Sequence, residues 1–196
     1  MDKKAIALAI YRAGCIRFGE FKLSSGATSP IYIDMRTLPS NPKEFKTIIE
    51  ASLDVLKGLD FDLICGVATG GLIYASVIAY LLSKPLIYVR KKVKEHGTSR
   101  ILEGDISAGS RVLVIDDVST TGLTLLTACR VLTESELNIS SIFVLVDRGQ
   151  GACELLNKHG FNFTYLIKLS DLLTFLLNEG ILDNALYEEI VKSLWG

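Results

Sequence analysis

The sequence predicts an α/β fold, a parallel sheet flanked by helices with a small N-terminal hood, on three observations. Val112 to Ile115 form an apolar run without polar alternation, as expected of a parallel strand buried on both faces. That run leads through Asp116-Asp117-Val-Ser-Thr-Thr-Gly122 into the helical spacing of Leu123, Leu126 and Val131. A second strand, glycine loop and helix recur at 61–82, where Gly66-Val-Ala-Thr-Gly-Gly71 separates the strand 61–65 from the apolar helix 72–82.

Taken in order, Ile6, Ala9, Ile10 and Ala13 recur at helical spacing over residues 3–13, and Gly14 is a fitting stop. Residues 18–36 turn β-rich around Ser25-Gly26, with an extended residue imposed before Pro30. They predict a hairpin-like lobe ahead of the main sheet, the hood of residues 1–36, whose blandest reading is an edge hairpin that covers the core. Asn41-Pro42 opens a helix with proline in its first turn, running through Phe45, Ile48, Ile49 and Leu53 to Gly58. Residues 86–89 form another strand, followed by Arg90-Lys-Lys-Val-Lys-Glu-His-Gly-Thr-Ser-Arg100. A cation run of this kind is usually a solvated face, but this one starts at a strand end, lacks apolar periodicity and closes with Gly97-Thr98-Ser99, so it reads as a functional loop. A helix over 123–137 returns the chain to a strand at 141–146, which ends in Asp147-Arg148-Gly149-Gln150-Gly151. A helix ending at His159-Gly160, a strand at 163–167 and helices from Ser170 and Asp183 complete the chain, with His159 a helix-end cation or C-cap neighbour and not a ligand.

Composition bounds the rest. At 196 residues the chain is the size of one α/β domain with a small addition, and 49% hydrophobic content supplies a sizeable core. A formal net charge of −1 gives no electrostatic reason to expect nucleic acid. No apolar stretch reaches the length of a membrane span, and Met1-Asp-Lys-Lys precedes an amphipathic pattern, not a signal peptide, so a cytoplasmic protein is expected. Cys15, Cys65, Cys129 and Cys153 are scattered without zinc spacing and read as buried reduced thiols.

The chemistry centres on the acidic pair. A loop of small hydroxylated residues opening a helix can offer backbone N–H groups and the hydroxyls of Ser119, Thr120 and Thr121 to a phosphate. Asp116 and Asp117 beside it suit the hydroxyls of a ribose, or a metal ion, so the natural ligand is a sugar phosphate. A plain helix cap needs one Asp or Ser, not this string. The 66–71 loop is neither Gly-x-Gly-x-x-Gly nor a Walker motif, and its bland reading is a tight turn. Arg148 at a strand end could simply pair with a neighbouring carboxylate.

Asp116-Asp117-Val-Ser-Thr-Thr-Gly122, with its strand, resembles the phosphoribosyl pyrophosphate (PRPP) motif of type I phosphoribosyltransferases. The hood is similar to that of orotate phosphoribosyltransferases, with Leu23, Ser25, Gly26, Ser29, Pro30 and Tyr32 in register, and Arg90, Lys91, Lys94, His96 and Gly97 match that family's catalytic loop. The resemblance covers about residues 18–173. It implies one phosphoribosyltransferase domain over 1–196, and transfer of ribose 5-phosphate from PRPP to orotate with Mg²⁺ bound mainly through PRPP. It makes Lys91, Lys94, His96, Asp116 and Asp117 catalytic. With Arg90, Val118, Ser119, Thr120, Thr121, Gly122, Leu123 and Thr124 these would bind PRPP, while Ala68, Thr69, Gly70 and Gly71 form the pyrophosphate loop. Thr120, Arg148, Ser25 and Gly26 would bind orotate, Arg148 through the planar contact an arginine makes with a carboxylate. A homodimer is implied, with Lys91 and His96 reaching into the partner's site; association with a separate orotidine 5′-phosphate decarboxylase is left open. The pattern departs at Ser24, where the family often carries lysine, and at Gly70, where some bacterial relatives do, and Lys22 lies on the same side of an extended segment as Ser24. Two rivals are a phosphoribosyltransferase for another base, which would lack this hood and loop together, and a non-catalytic regulator that senses a nucleotide or RNA, which could dispense with the acidic pair. Orotate turnover separates all three.

Overall fold

Apolar runs without polar alternation become the central strands of a six-stranded sheet. The computed structural model of the chain describes residues 2–22, 28–90 and 101–196. In chain order its elements begin with α1 (Lys3–Arg12), β1 (Ile16–Lys22), β2 (Thr28–Ile33), a 3₁₀ turn (Met35–Ser40), α2 (Pro42–Leu56), β3 (Leu63–Val67), α3 (Gly70–Leu82) and β4 (Leu86–Val89). They continue with β5 (Leu102–Glu103), β6 (Arg111–Ser119), α4 (Leu123–Glu134), β7 (Asn138–Asp147), α5 (Ala152–Lys158), β8 (Phe163–Lys168), α6 (Leu169–Asn178) and α7 (Asn184–Trp195). Two compact units result, one of Met1–Ala51 with Ile167–Gly196 and one of Ser52–Leu166.

In the first unit, Asp2 caps α1 by accepting from the Lys4 and Ala5 N–H groups, and Ile6, Ala7, Ala9 and Ile10 form its buried stripe. Gly14, at φ +69, stops the helix as the sequence predicts. β1 and β2 make the expected antiparallel hairpin, in register at Ile16↔Ile33 and irregular between Phe18 and Phe21. Tyr32 stacks near Phe21 and under the Arg17 guanidinium, each 5.5 Å away. Ser29 is buried and donates to the Ile31 carbonyl. The C-terminal helices belong here: α6 packs on α1, and α7 on β2.

The second unit holds the sheet in the order β5-β4-β3-β6-β7-β8. β3 is parallel to β4 and β6, and β6 to β7, whereas β5 runs antiparallel to β4 at the edge, so the predicted parallel sheet is mixed at its margin. Every residue of β3 and residues 112–116 of β6 are buried, each large apolar side chain contributing about 1.5–3 kcal/mol. The predicted strand at 61–65 begins two residues late, because the Phe61 carbonyl is bonded by Lys84 Nζ at 2.8 Å and not by a strand. Arg111 anchors the start of β6 by forking onto Asp60 and Asp62, and draws the Asp62 carboxyl well below its usual range. The helix predicted over 123–137 stops at Glu134, since Glu136 takes φ +59 and the Leu137 N–H turns back to the Leu132 carbonyl.

Cys15, Cys65 and Cys129 are buried as expected, and Cys153 is half-buried. Burial pushes the Cys129 thiol up to about 12 and raises Cys65 also, which keeps both protonated and inert. Among the described residues no helix is long and apolar enough to cross a membrane.

Candidate active site

Two neighbouring strands end at different heights, and the candidate site fills the step. β3 pairs with β6 from Leu63↔Val112 to Gly66↔Ile115, whereas β7 stays paired with β6 as far as Ser119↔Asp147. Asp116 and Asp117 are therefore carried within β6 on its β7 side and lie beyond the ladder on its β3 side. The sequence places them after the strand; pairing with β7 extends the strand through them. Asp116 is 8% exposed and Asp117 half-buried. The Asp117 N–H donates to Asp116 Oδ1 and the Val118 N–H to Asp117 Oδ1, both at 2.9 Å, which offsets part of the cost of burying the carboxylates.

The glycine loop folds against this pair. A Cβ at Gly71 would collide with the Ile115 carbonyl and stand 2.6 Å from Asp116 Cα, and a Cβ at Gly70 would fall inside the Asp117 carboxylate. Gly70 and Gly71 thus meet the acidic pair; the Ala68 N–H, expected to face the pyrophosphate, instead donates to the Val89 carbonyl at 2.8 Å, and the Ala68–Thr69 peptide is cis. The departure at Gly70 has a physical reason: any side chain there displaces Asp117. Gly70→Ala should lower turnover about tenfold or more through Asp117, yet hold its melting temperature, because alanine suits a helix start better than glycine. Gly71→Ala meets backbone instead and should lose about 1–3 kcal/mol of stability. Thermal melts beside initial rates distinguish the two.

α3 and α4 both open at this edge, and their N-caps, Thr69 and Gly122, make no side-chain capping bond. Their first N–H groups are the donors that anions bind at helix N-termini. Thr120, Thr121, Leu123 and Thr124 are exposed, Val118 is half-buried, and Gly122 needs its φ of +82 to turn beside Ala152. Ser119 differs. It is 3% exposed and its hydroxyl donates to Asp147 Oδ1 at 2.8 Å, so the three loop hydroxyls divide into two facing out and one committed inside.

Arg90 follows β4, its N–H donating to the Ile101 carbonyl and its Nη1 lying 3.3 Å from Glu103 Oε1. A cleft of about 340 Å³, lined by Val67, Val89, Arg90, Thr124, Thr127 and Ala128, brings Arg90 and Thr124 together. Glu103 carries no sequence signal because β5 is two residues long. Arg148 is half-buried, its N–H donating to the Ser119 carbonyl at 3.0 Å. Burial holds its guanidinium below the ordinary arginine value, and a cation stripped of water makes its strongest bonds to an anionic ligand. Asp147, 2% exposed and bonded to Ser119, is the residue the sequence reading passes over. Lys91, Lys94, His96, Ser25 and Gly26 lie outside the described residues.

The phosphoribosyl transferase domain model matches residues 36–163. An orotate phosphoribosyltransferase of Pyrobaculum aerophilum is 45% identical over 161 residues, 82% of this chain and 83% of that one. The crystal structure of orotate phosphoribosyltransferase from Aeropyrum pernix superposes with a TM-score of 0.81 at 38% identity, covering 91% of this chain and 99% of its own. UMP synthase of Leishmania donovani superposes with a TM-score of 0.87 at 34% identity, and this chain, 99% covered, spans 42% of that longer one. A glycine loop and an acidic strand end meeting at two open helix N-termini, in a chain this similar to such relatives along most of its length, place it in a family: it belongs to the orotate phosphoribosyltransferases.

Proposed function

We propose that this chain transfers ribose 5-phosphate from PRPP to orotate, giving orotidine 5′-phosphate and diphosphate in UMP synthesis. The observation that carries the chemistry is the close approach of Gly70 and Gly71 to Asp116 and Asp117, where two helices open without a side-chain cap. The likeness to orotate phosphoribosyltransferases supports orotate as the base.

In the reaction the bond from the anomeric carbon to diphosphate breaks and a bond to the orotate ring nitrogen forms, the proton of that nitrogen passing to diphosphate or water. Positive charge grows on the ribose and negative charge on diphosphate. Asp116 and Asp117, held by backbone N–H groups, favour the cationic sugar. Backbone N–H groups of Thr69, Gly70 and Gly71 take the diphosphate, joined by Arg90, Lys91, Lys94 and His96, while the Ala68 N–H stays bonded to the Val89 carbonyl. The loop from Val118 to Thr124 takes the 5-phosphate. Arg148, with Thr120, Ser25 and Gly26, takes orotate. Mg²⁺ fits this donor set: Asp116 and Asp117 would offer it hard oxygens, with its remaining ligands left to water and substrate phosphates. When bound, the ion neutralises charge on the leaving group.

The resemblance supports a homodimer with shared sites, a cytoplasmic setting, and a single functional domain with residues 1–36 as its hood. Making UMP from the product requires loss of the orotate carboxylate. Likeness to part of a longer UMP synthase chain therefore supports a separate orotidine 5′-phosphate decarboxylase as partner. With PRPP and Mg²⁺ the purified protein should deplete orotate and release diphosphate, while hypoxanthine, adenine and uracil serve poorly. Use of a purine in place of orotate would overturn the assignment.

A further inference from the structure

We propose that Asp147 is a positioning residue that ties the loop holding the phosphoribosyl group to the arginine holding orotate, an inference that rests on the function proposed above. Asp147 ends β7 at 2% exposure, opposite Ser119 in the ladder. Its Oδ1 accepts the Ser119 hydroxyl at 2.8 Å and the Gly149 N–H at 3.2 Å, and the Arg148 N–H donates to the Ser119 carbonyl at 3.0 Å. Two hydrogen bonds thus join Ser119 to residues 147 and 148 where the β6 and β7 ladder ends, and a third ties the Asp147 carboxylate to Gly149. Ser119 stands between the acidic pair and Thr120, and Arg148 directly follows Asp147.

Packing alone gives no reason for a carboxylate here, because an apolar residue would fill a buried strand end without the desolvation cost. What the carboxylate adds is acceptor capacity for donors from both strand ends. The two reactants are held by different strands, and the ring nitrogen must sit about 3–3.5 Å from the anomeric carbon, where an error of about 1 Å costs about a hundredfold in rate. The lateral tie through Asp147 fixes the separation of the two holding groups. Neither ligand's own contacts depend on it, so its loss falls on turnover and spares binding.

Asp147→Ala should lower kcat about ten- to a hundredfold, while calorimetric Kd values for orotate and PRPP, each measured singly, change by less than about threefold. Ser119→Ala removes only the hydroxyl that is bonded to Asp147, leaving the main-chain groups of the phosphate loop in place, so it cuts the same tie from the other strand and should show the same split. The double variant should be no slower than the slower single one. Asp147→Asn keeps an amide oxygen as acceptor and should recover most of the turnover. Both alanine variants turning over within about threefold of the parent would overturn the inference. So would losses that follow only a smaller folded fraction, read from melting temperature and active-site titration. If Asp147→Ala does not fold, Ser119→Ala decides alone. A parent protein that leaves orotate untouched overturns the proposed function and this inference with it, whereas an active parent with active variants overturns the inference alone.

Discussion

Asp117→Asn should keep the fold and lose about 10²- to 10³-fold in kcat, the usual loss when one preorganised charge-stabilising group is removed. The fold survives because an asparagine oxygen can still accept the Val118 N–H that Asp117 Oδ1 now takes at 2.9 Å. What disappears is the negative charge beside the developing cation of the ribose. Lys91→Ala should be similarly impaired through the leaving group. If Lys91 acts across a homodimer, mixing the two inactive variants under subunit exchange creates heterodimers with one site that holds both parent residues. Random pairing then restores about a quarter of the parent activity, by the twofold symmetry of such a dimer. The measurement is turnover after mixing, with heterodimers counted by mass. Heterodimers without activity would mean that Lys91 serves its own subunit.

Arg148→Ala should weaken orotate binding about ten- to a hundredfold. Hydrogen bonds to charged groups contribute about 1.5–3 kcal/mol, and each 1.4 kcal/mol is about a factor of ten in Kd. The half-buried setting that lowers the guanidinium below its ordinary value argues for the upper part of that range, since little water competes there. PRPP, which the proposed function assigns to the 118–124 loop and the glycine loop, should bind nearly as before. Arg148→Lys should recover only part of the loss, because an ammonium is a point charge and cannot make a planar two-point contact. Calorimetry with each ligand checks this, with the melting temperature as control. Equal losses for both ligands would mean that Arg148 only braces the end of its strand.

Much of this was legible in local pattern. Val112 to Ile115 read as a buried strand because nothing polar interrupts them, and the Gly66–Gly71 and Asp116–Gly122 strings lie at the strand ends where they were expected. What escaped depends on partners distant in the chain. β6 runs on through Asp116, Asp117 and Ser119 only because β7 pairs with it there, and polar residues hide such an extension. α3 begins at Gly70, two residues earlier than its apolar spacing, since a glycine pair reads as loop until Asp117 is seen filling the space beside it. Asp147 carries no local signal of its own, and its bond to Ser119 spans 28 positions. The grouping of α6 and α7 with the N-terminal hairpin likewise has no local signature.

The unequal lengths of β3 and β6 also govern where this chain can grow. Extending β3 by two residues would carry its ladder past Gly66↔Ile115 and fill the step that the glycine loop occupies, so insertions there should be excluded. The opposite ends of the same strands carry no such demand. The turn at Ser107 to Ser110 and the bend at Ser135 and Glu136 precede β6 and β7, are largely exposed, and lie a full strand length from the acidic pair. Length variation and fused segments are therefore accommodated at that rim, while the rim bearing Asp116 and Asp117 keeps its residue count.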